Sequence, residues 1–181
     1  MSTTEITNPI VRTVDGVEVP VAGTYALDLS HSSVGFSVRH LMVSKTKGRF
    51  TDFSGTVVIA DDPLASSVDV EIKAASVDTR DETRDGHLTS ADFLDSDAHP
   101  VFTYRSTEVV SVGKGTWTVQ GDLTVRGTTV SVPLEGAFEG GAKDPWGGSR
   151  IGFTARTELD REAFGLTWNQ ALETGGVLVG R

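Results

Sequence analysis

Ser33-Val34-Gly35-Phe36-Ser37-Val38-Arg39-His40 decides the fold. Successive side chains of an extended chain point to opposite faces. Val34, Phe36, Val38 and His40 therefore share one face, and Ser33, Ser37 and Arg39 share the other. A dry face backed by a wet one is the mark of a half-buried strand. The same period recurs outward from this stretch. Val68, Val70, Ile72 and Ala74 alternate with Asp69, Glu71 and Lys73. Trp117, Val119, Leu123 and Val125 alternate with Thr116, Thr118, Gln120, Asp122 and Thr124. Val130, Val132, Leu134 and Phe138 form a further set, and Ile151, Phe153, Ala155 and Leu159 oppose Thr154, Arg156 and Glu158. With weaker runs at 50–59 and 101–110 the count reaches about eight strands, in an up-and-down barrel or a sandwich. Turn signals at Gly113-Lys114-Gly115, Arg126-Gly127 and Gly140-Gly141 join neighbours in sequence order, so the class is all-β and antiparallel.

One segment interrupts the alternation. Residues 76–100 are rich in Asp, Thr and Arg. Thr79-Arg80-Asp81-Glu82 matches a capping box, which predicts a short helix starting near residue 80. Gly86 is expected to interrupt or end it, with a second short turn from Ser90 to Leu94. The insertion over residues 80–94 is placed to close one barrel end. Before the barrel, residues 1–22 read as an arm, with a hairpin expected around Asp15-Gly16. Residues 23–181 form the domain proper.

The totals fit this reading. A chain of 181 residues with 38% hydrophobic and 23% charged residues suits one globular domain. Its 20 glycines are spread along the chain, as frequent turns require. A net charge of −9 weighs against nucleic acid and against anionic lipid surfaces. The absence of cysteine removes disulfides, thiolate nucleophiles and zinc–cysteine sites. No apolar run reaches the length of a signal peptide or of a membrane span, so no stable membrane insertion is expected, and a cytoplasmic location is.

Catalytic and metal chemistry find little support. His31, His40, His87 and His99 show no i, i+4 or i, i+2 pair that would share an ion, so no metal site is expected. His40 lies on the apolar face. It is either a core histidine bonded to Asp85 or to a loop carbonyl, or a polar contact for a ligand headgroup. No serine stands in a Gly-x-Ser-x-Gly elbow. The carboxylates at 78, 81, 82, 85, 92, 95 and 97 are interleaved with Arg80 and Arg84, which reads as a solvated charge network. Gly147-Gly148 lacks the lysine and helix of a phosphate loop. No catalytic residue and no cofactor are expected. What remains is aromatic: eight phenylalanines and three tryptophans that either fill the core or line a cavity.

Taken in order, certain pieces closely resemble the YceI-like family, a polyisoprenoid-binding, lipocalin-like family. They are Tyr25-x-Leu27-Asp28-x-x-His31-Ser32-x-x-Gly35-Phe36-x-x-x-His40, Gly48-x-Phe50-x-x-Phe53-x-Gly55 and Ser76-Val77-x-Thr79. Arg84-Asp85-x-His87-Leu88, Ser90-x-Asp92-Phe93, His99-Pro100, Gly121-x-Leu123-Thr124-x-x-Gly127 and Phe164-Gly165 complete them. The resemblance implies an eight-stranded antiparallel lipocalin-like barrel with a helical insertion near one end. It implies an apolar tunnel for a polyprenyl chain or a prenylated quinone, a homodimer, and a link to stress conditions. Family members are often exported, and no export signal is visible here. Family chains also continue past Val177-Leu178-Val179-Gly180, whereas this one stops at Arg181. A missing closing strand would leave one barrel edge unpaired.

The leading function is therefore binding, transport or storage of an isoprenoid lipid. Val34, Phe36, Val38, Val68, Val70 and Ile72 hold the dry face and are the expected lining. Phe50, Phe53 and Phe93 are placed at the mouth, with His40 and His87 as polar contacts. Two other readings stay open. One is a partner-binding or structural barrel with a filled core. The other is a small hydrolase or isomerase using His40, Asp85 and His87.

Overall fold

In the computed structural model, residues 10–41, 43–170 and 178–180 are described. Three antiparallel sheets make up the fold. A hairpin of β1 (Val11–Val14) and β2 (Val17–Pro20) comes first. Then follow β3 (Gly23–Ala26), β4 (Val34–His40), β5 (Ser44–Phe50), β6 (Phe53–Ile59), β7 (Ser67–Lys73) and the two-residue β8 (Val77–Asp78). Helix α1 (Glu82–Thr89) precedes the long meander β9 (Val101–Val112), β10 (Thr116–Val125), β11 (Thr128–Lys143) and β12 (Ser149–Arg156). The main sheet has seven strands in the order β12-β11-β10-β9-β7-β6-β3. Strands β4, β5 and β8 form a separate three-stranded flap.

The all-β antiparallel class and the helical insertion are as the sequence predicts, but the strand count differs: twelve strands lie among the described residues. The barrel wall is not one continuous ladder. The chain leaves the main sheet between β3 and β4 and returns across Thr51 and Asp52. That corner is held by Thr51 N–H donating to the Ser76 carbonyl and Lys73 N–H to the Asp52 carbonyl. Corners of this kind divide long strands into short ones. Asp15-Gly16 and Arg126-Gly127 both hold paired positive φ values (50° and 78°; 50° and 73°), the geometry that matches the twist of a two-residue hairpin.

The helix corrects two expectations. Its cap is Asp81, whose side chain accepts from Arg84 N–H, and not Thr79. Gly86 lies inside the helix rather than at its end. A mid-helix glycine costs only about 1 kcal/mol, which the tertiary ties described below exceed. The turn after Ser90 is present, with Phe93 N–H and Asp95 N–H both donating to the Ser90 carbonyl. Arg126 fixes this segment to the β10–β11 turn by donating to the Phe93 carbonyl at 3.0 Å.

The main sheet curls until its two edges meet. Arg150 on edge strand β12 bonds to Asp28, just beyond edge strand β3. Two apolar clusters fill the curl. One gathers Phe93, Leu94, Phe102, Tyr104, Leu123, Val125, Val132 and Phe164 beside α1. The other gathers Val19, Ile59, Val109 and Trp117, with Val14 and Val17 of the first hairpin packed on it. Val19 has no exposure at all, so residues 10–22 pack as part of the molecule, while residues 1–9 lie outside the described ones. Of the expected closing segment, residues 171–177 and 181 also lie outside them. Residues 178–180 run antiparallel to the end of β4, with a bridge between His40 and Val179. No helix among the described residues is long and apolar enough to cross a membrane.

Candidate functional site

The flap presents one apolar face to the curled sheet. Its register sets Val34 opposite Phe50, Phe36 opposite Gly48 and Val38 opposite Thr46. Cross-strand partners share a face, so these side chains all point inward, as the alternation around Phe36 requires. Phe36 lies 5.6 Å from Phe50, ring to ring, and Phe50 lies edge-on to Phe102 of the main sheet at 5.3 Å. The three rings carry the contact from flap to sheet. On the far wall Val68, Val70 and Ile72 of β7 pack against the first cluster and stay half-buried. Val34, Phe36, Val38 and Phe50 are half-buried too, whereas Phe53 and Phe93 are buried as part of the wall.

At the α1 end, His87 stands edge-on to Phe93 at 5.1 Å and to Trp168 at 4.6 Å. Its Nε2 is 2.9 Å from Asp92. The Trp168 partnership joins residues far apart in the chain, and nothing local in the sequence signals it. Arg161 is a second residue that sequence reasoning missed. Its guanidinium donates to the carbonyls of Leu166, Trp168, Val179 and Gly180, tying the last described residues over this end.

The three residues proposed for catalysis do not form one constellation. Both Asp85 oxygens accept from Thr79 N–H, at 2.9 and 3.2 Å, and one also accepts the Thr79 hydroxyl. Asp85 is thus the partner of buried Thr79 and not of His40, a correction with a plain reason: α1 lies against β8, not against β4. His40 is inward and half-buried at the end of β4, where its own carbonyl accepts from the Ser44 hydroxyl. His31 belongs to a surface ion cluster with Asp28 and Arg150. His99 lies beside Gly127. Hydrogen bonds from Ser30, His31 and Arg150 hold the Asp28 carboxyl well below the usual carboxylate range. Burial, with Asp122 adding to it, pushes Tyr104 up to about 12.

The two apolar clusters do not merge. Along β11, Val130, Val132 and Leu134 belong to the first and Phe138 to the second, with Gly136 between them. Gly136 pairs with Trp117 on one side and Ala155 on the other, so all three share the inner face. A cleft of about 380 Å³ along β12 also touches Gly136 and Ala155, but it opens on the outer face of the sheet: Thr116, Glu135, Ala137, Thr154 and Arg156, which complete its lining, alternate with the inward Trp117, Gly136 and Ala155. None of the residues chosen from the sequence lines it. On the inner face, Gly136 is the gap in the apolar alternation of β11. Trp117 Nε1 is buried on the same strand pair without a hydrogen-bond partner among the described residues.

A family model, the YceI-like domain, matches residues 25–181. A UPF0312 protein of Vibrio cholerae is 41% identical over 150 residues, covering 80% of this chain and 78% of the relative. A UPF0312 protein of Ectopseudomonas mendocina is 43% identical over 150 residues, covering 81% and 78%. Among solved structures, Burkholderia cenocepacia BcnA superposes with a TM-score of 0.67 at 26% identity, covering 76% of this chain and 82% of that one. The Campylobacter jejuni YCEI protein superposes with a TM-score of 0.63 at 34% identity, covering 78% and 83%.

Proposed function

This chain belongs to the YceI-like family, and on that premise we propose that it binds, and carries or stores, an amphiphilic isoprenoid lipid, a polyprenyl chain or a prenylated quinone, between the flap and the curled sheet. One observation carries the reading. The flap turns the half-buried Val34, Phe36 and Val38 towards a sheet wall whose Val68, Val70 and Ile72 are half-buried too, so two apolar faces that their own neighbours do not fully cover look towards one another. Each buried methylene contributes roughly 0.8 kcal/mol, so a few isoprene units supply useful affinity even after the chain is ordered. Trp117 Nε1, buried without a hydrogen-bond partner among the described residues, supports a ligand that carries an acceptor oxygen, such as a quinone. His40 and His87 serve as further polar contacts. Asp85 is held by Thr79, which removes it as the partner of His40 or His87 in a catalytic set. The homodimer is part of the same reading, and sedimentation of the purified chain measures it.

The direct test is mass spectrometry of an organic extract from protein purified without detergent. A stoichiometric prenyl lipid is expected. Val38→Phe, which adds bulk on the half-buried inward face of the flap, is expected to lower lipid content several-fold, with melting curves to show that the fold is kept. A blank extract combined with no uptake of added prenyl quinone would favour the filled-core barrel.

A further inference from the structure

The β4–β5 hairpin carries a charge opposite to that of the molecule. From Arg39 to Arg49 it holds four cations and no acid, in a chain of net charge −9. The register sets Arg39 directly across from Lys45, with Lys47 and Arg49 further along the same outward face. Like charges opposite one another weaken a sheet. Arg39, Lys45 and Lys47 have no ion-pair partner among the described residues, and Arg49 alone is paired, with Asp78 at 2.9 Å. The tip between the strands is apolar. Val43 is 89% exposed and Leu41 41%, with Leu41 held at φ 53°. Beside the basic face lies a depression of about 260 Å³ lined by Lys47, Arg49 and Arg80 against the single acid Asp78.

We propose that this hairpin docks the protein on an anionic phospholipid bilayer. Leu41 and Val43 enter the headgroup boundary, Arg39, Lys45 and Lys47 face the lipid phosphates, and the depression receives one phosphate headgroup. The net charge does not forbid this. Screening confines each charge to about 8 Å at physiological salt, so the surface meets the hairpin and not the acids elsewhere. The exposed apolar tip selects a bilayer over a nucleic acid, whose phosphate backbone offers valine nothing. The inference is independent of what the cavity holds.

The test is co-sedimentation of the full chain with vesicles of phosphatidylcholine alone or with about one third phosphatidylglycerol, at about 0.1 M and about 0.5 M salt. Binding is expected to the anionic vesicles only, and to fall at high salt. Val43→Asp and the pair Lys45→Glu, Lys47→Glu are each expected to weaken it by about tenfold or more. All three positions are exposed, so unchanged melting curves will show that the fold is intact. Trp146→Ser, at the exposed β11–β12 turn, is expected to bind as the parent does. Absence of binding, equal binding to neutral vesicles, or unaltered binding of the charge-reversed pair would overturn the proposal. So would release of the protein from vesicles by a single-stranded oligonucleotide or inorganic phosphate together with an unaffected Val43→Asp variant, because the hairpin would then be a polyanion site.

Discussion

At Gly55 a Cβ would stand 2.6 Å from the Asp69 carbonyl oxygen and 2.9 Å from the Leu27 side chain. At Gly48 it would stand 2.4 Å from the Phe36 ring. The two glycines of the Gly48-x-Phe50-x-x-Phe53-x-Gly55 stretch thus answer to different neighbours. Gly48 makes room for a ring, which can turn. Gly55 makes room for backbone on the adjoining strand, which cannot. Overpacking costs about 1–3 kcal/mol. Gly55→Ala is therefore expected at the upper end of that range in urea unfolding, with Gly48→Ala milder. The reverse order would mean that the flap, and not the β6–β7 pair, is the rigid part.

Helix α1 shows how an element of poor intrinsic stability is held in place. It is eight residues long, contains Gly86 and buries none of its side chains. Isolated helices of this length are marginal in water. Its anchor is the Thr79 knot: Asp85 accepts the Thr79 N–H and hydroxyl, while Arg84 donates to the Thr79 hydroxyl and carbonyl oxygens. Removing Asp85 leaves a buried N–H without a partner, which costs about 1–3 kcal/mol. Asp85→Ala is expected to destabilise by that amount, and to raise amide exchange in α1 before it raises exchange in β9 and β10. Uniform acceleration across the whole chain would mean that the helix has no local opening of its own. His87, Asp92 and Trp168 should then move with the helix, so the same variant is expected to loosen the capped end of the cavity.

For the molecule as a whole, closure of the curl rests on side chains. Edge strands β3 and β12 are joined through Asp28 and Arg150 rather than by a ladder, and Asp144 braces Arg150 at 3.4 Å. The folded Asp28 carboxyl titrates below its unfolded value. Its contribution is therefore complete above about pH 4, where the unfolded carboxyl is ionised, and is lost as pH falls towards the lower folded value. Asp28→Asn should be less stable than the parent at neutral pH, and should lose less stability between about pH 4 and pH 2. Parallel pH profiles for the two proteins would show that the contact adds nothing to closure in solution. Salt should also weaken it, since the cluster is exposed.

Alternation around Phe36, Ile72, Leu123 and Phe153 was sufficient to read an antiparallel β fold, because a strand's period of two is a local property of the chain. The same holds for the Asp15-Gly16 and Arg126-Gly127 turns, whose backbone angles depend on two residues. Local pattern cannot say which edges meet, nor how far a sheet curls. The division into main sheet and flap, the Asp28–Arg150 closure, the Arg161 clamp and the Trp168–His87 stack all join residues remote in sequence. Their energies depend on distances that exist only once the chain has folded. The inner or outer face of each lining candidate was legible in the sequence. The space between those faces was not legible, because the separation of two apolar surfaces is set only when the flap and the sheet are fixed beside each other.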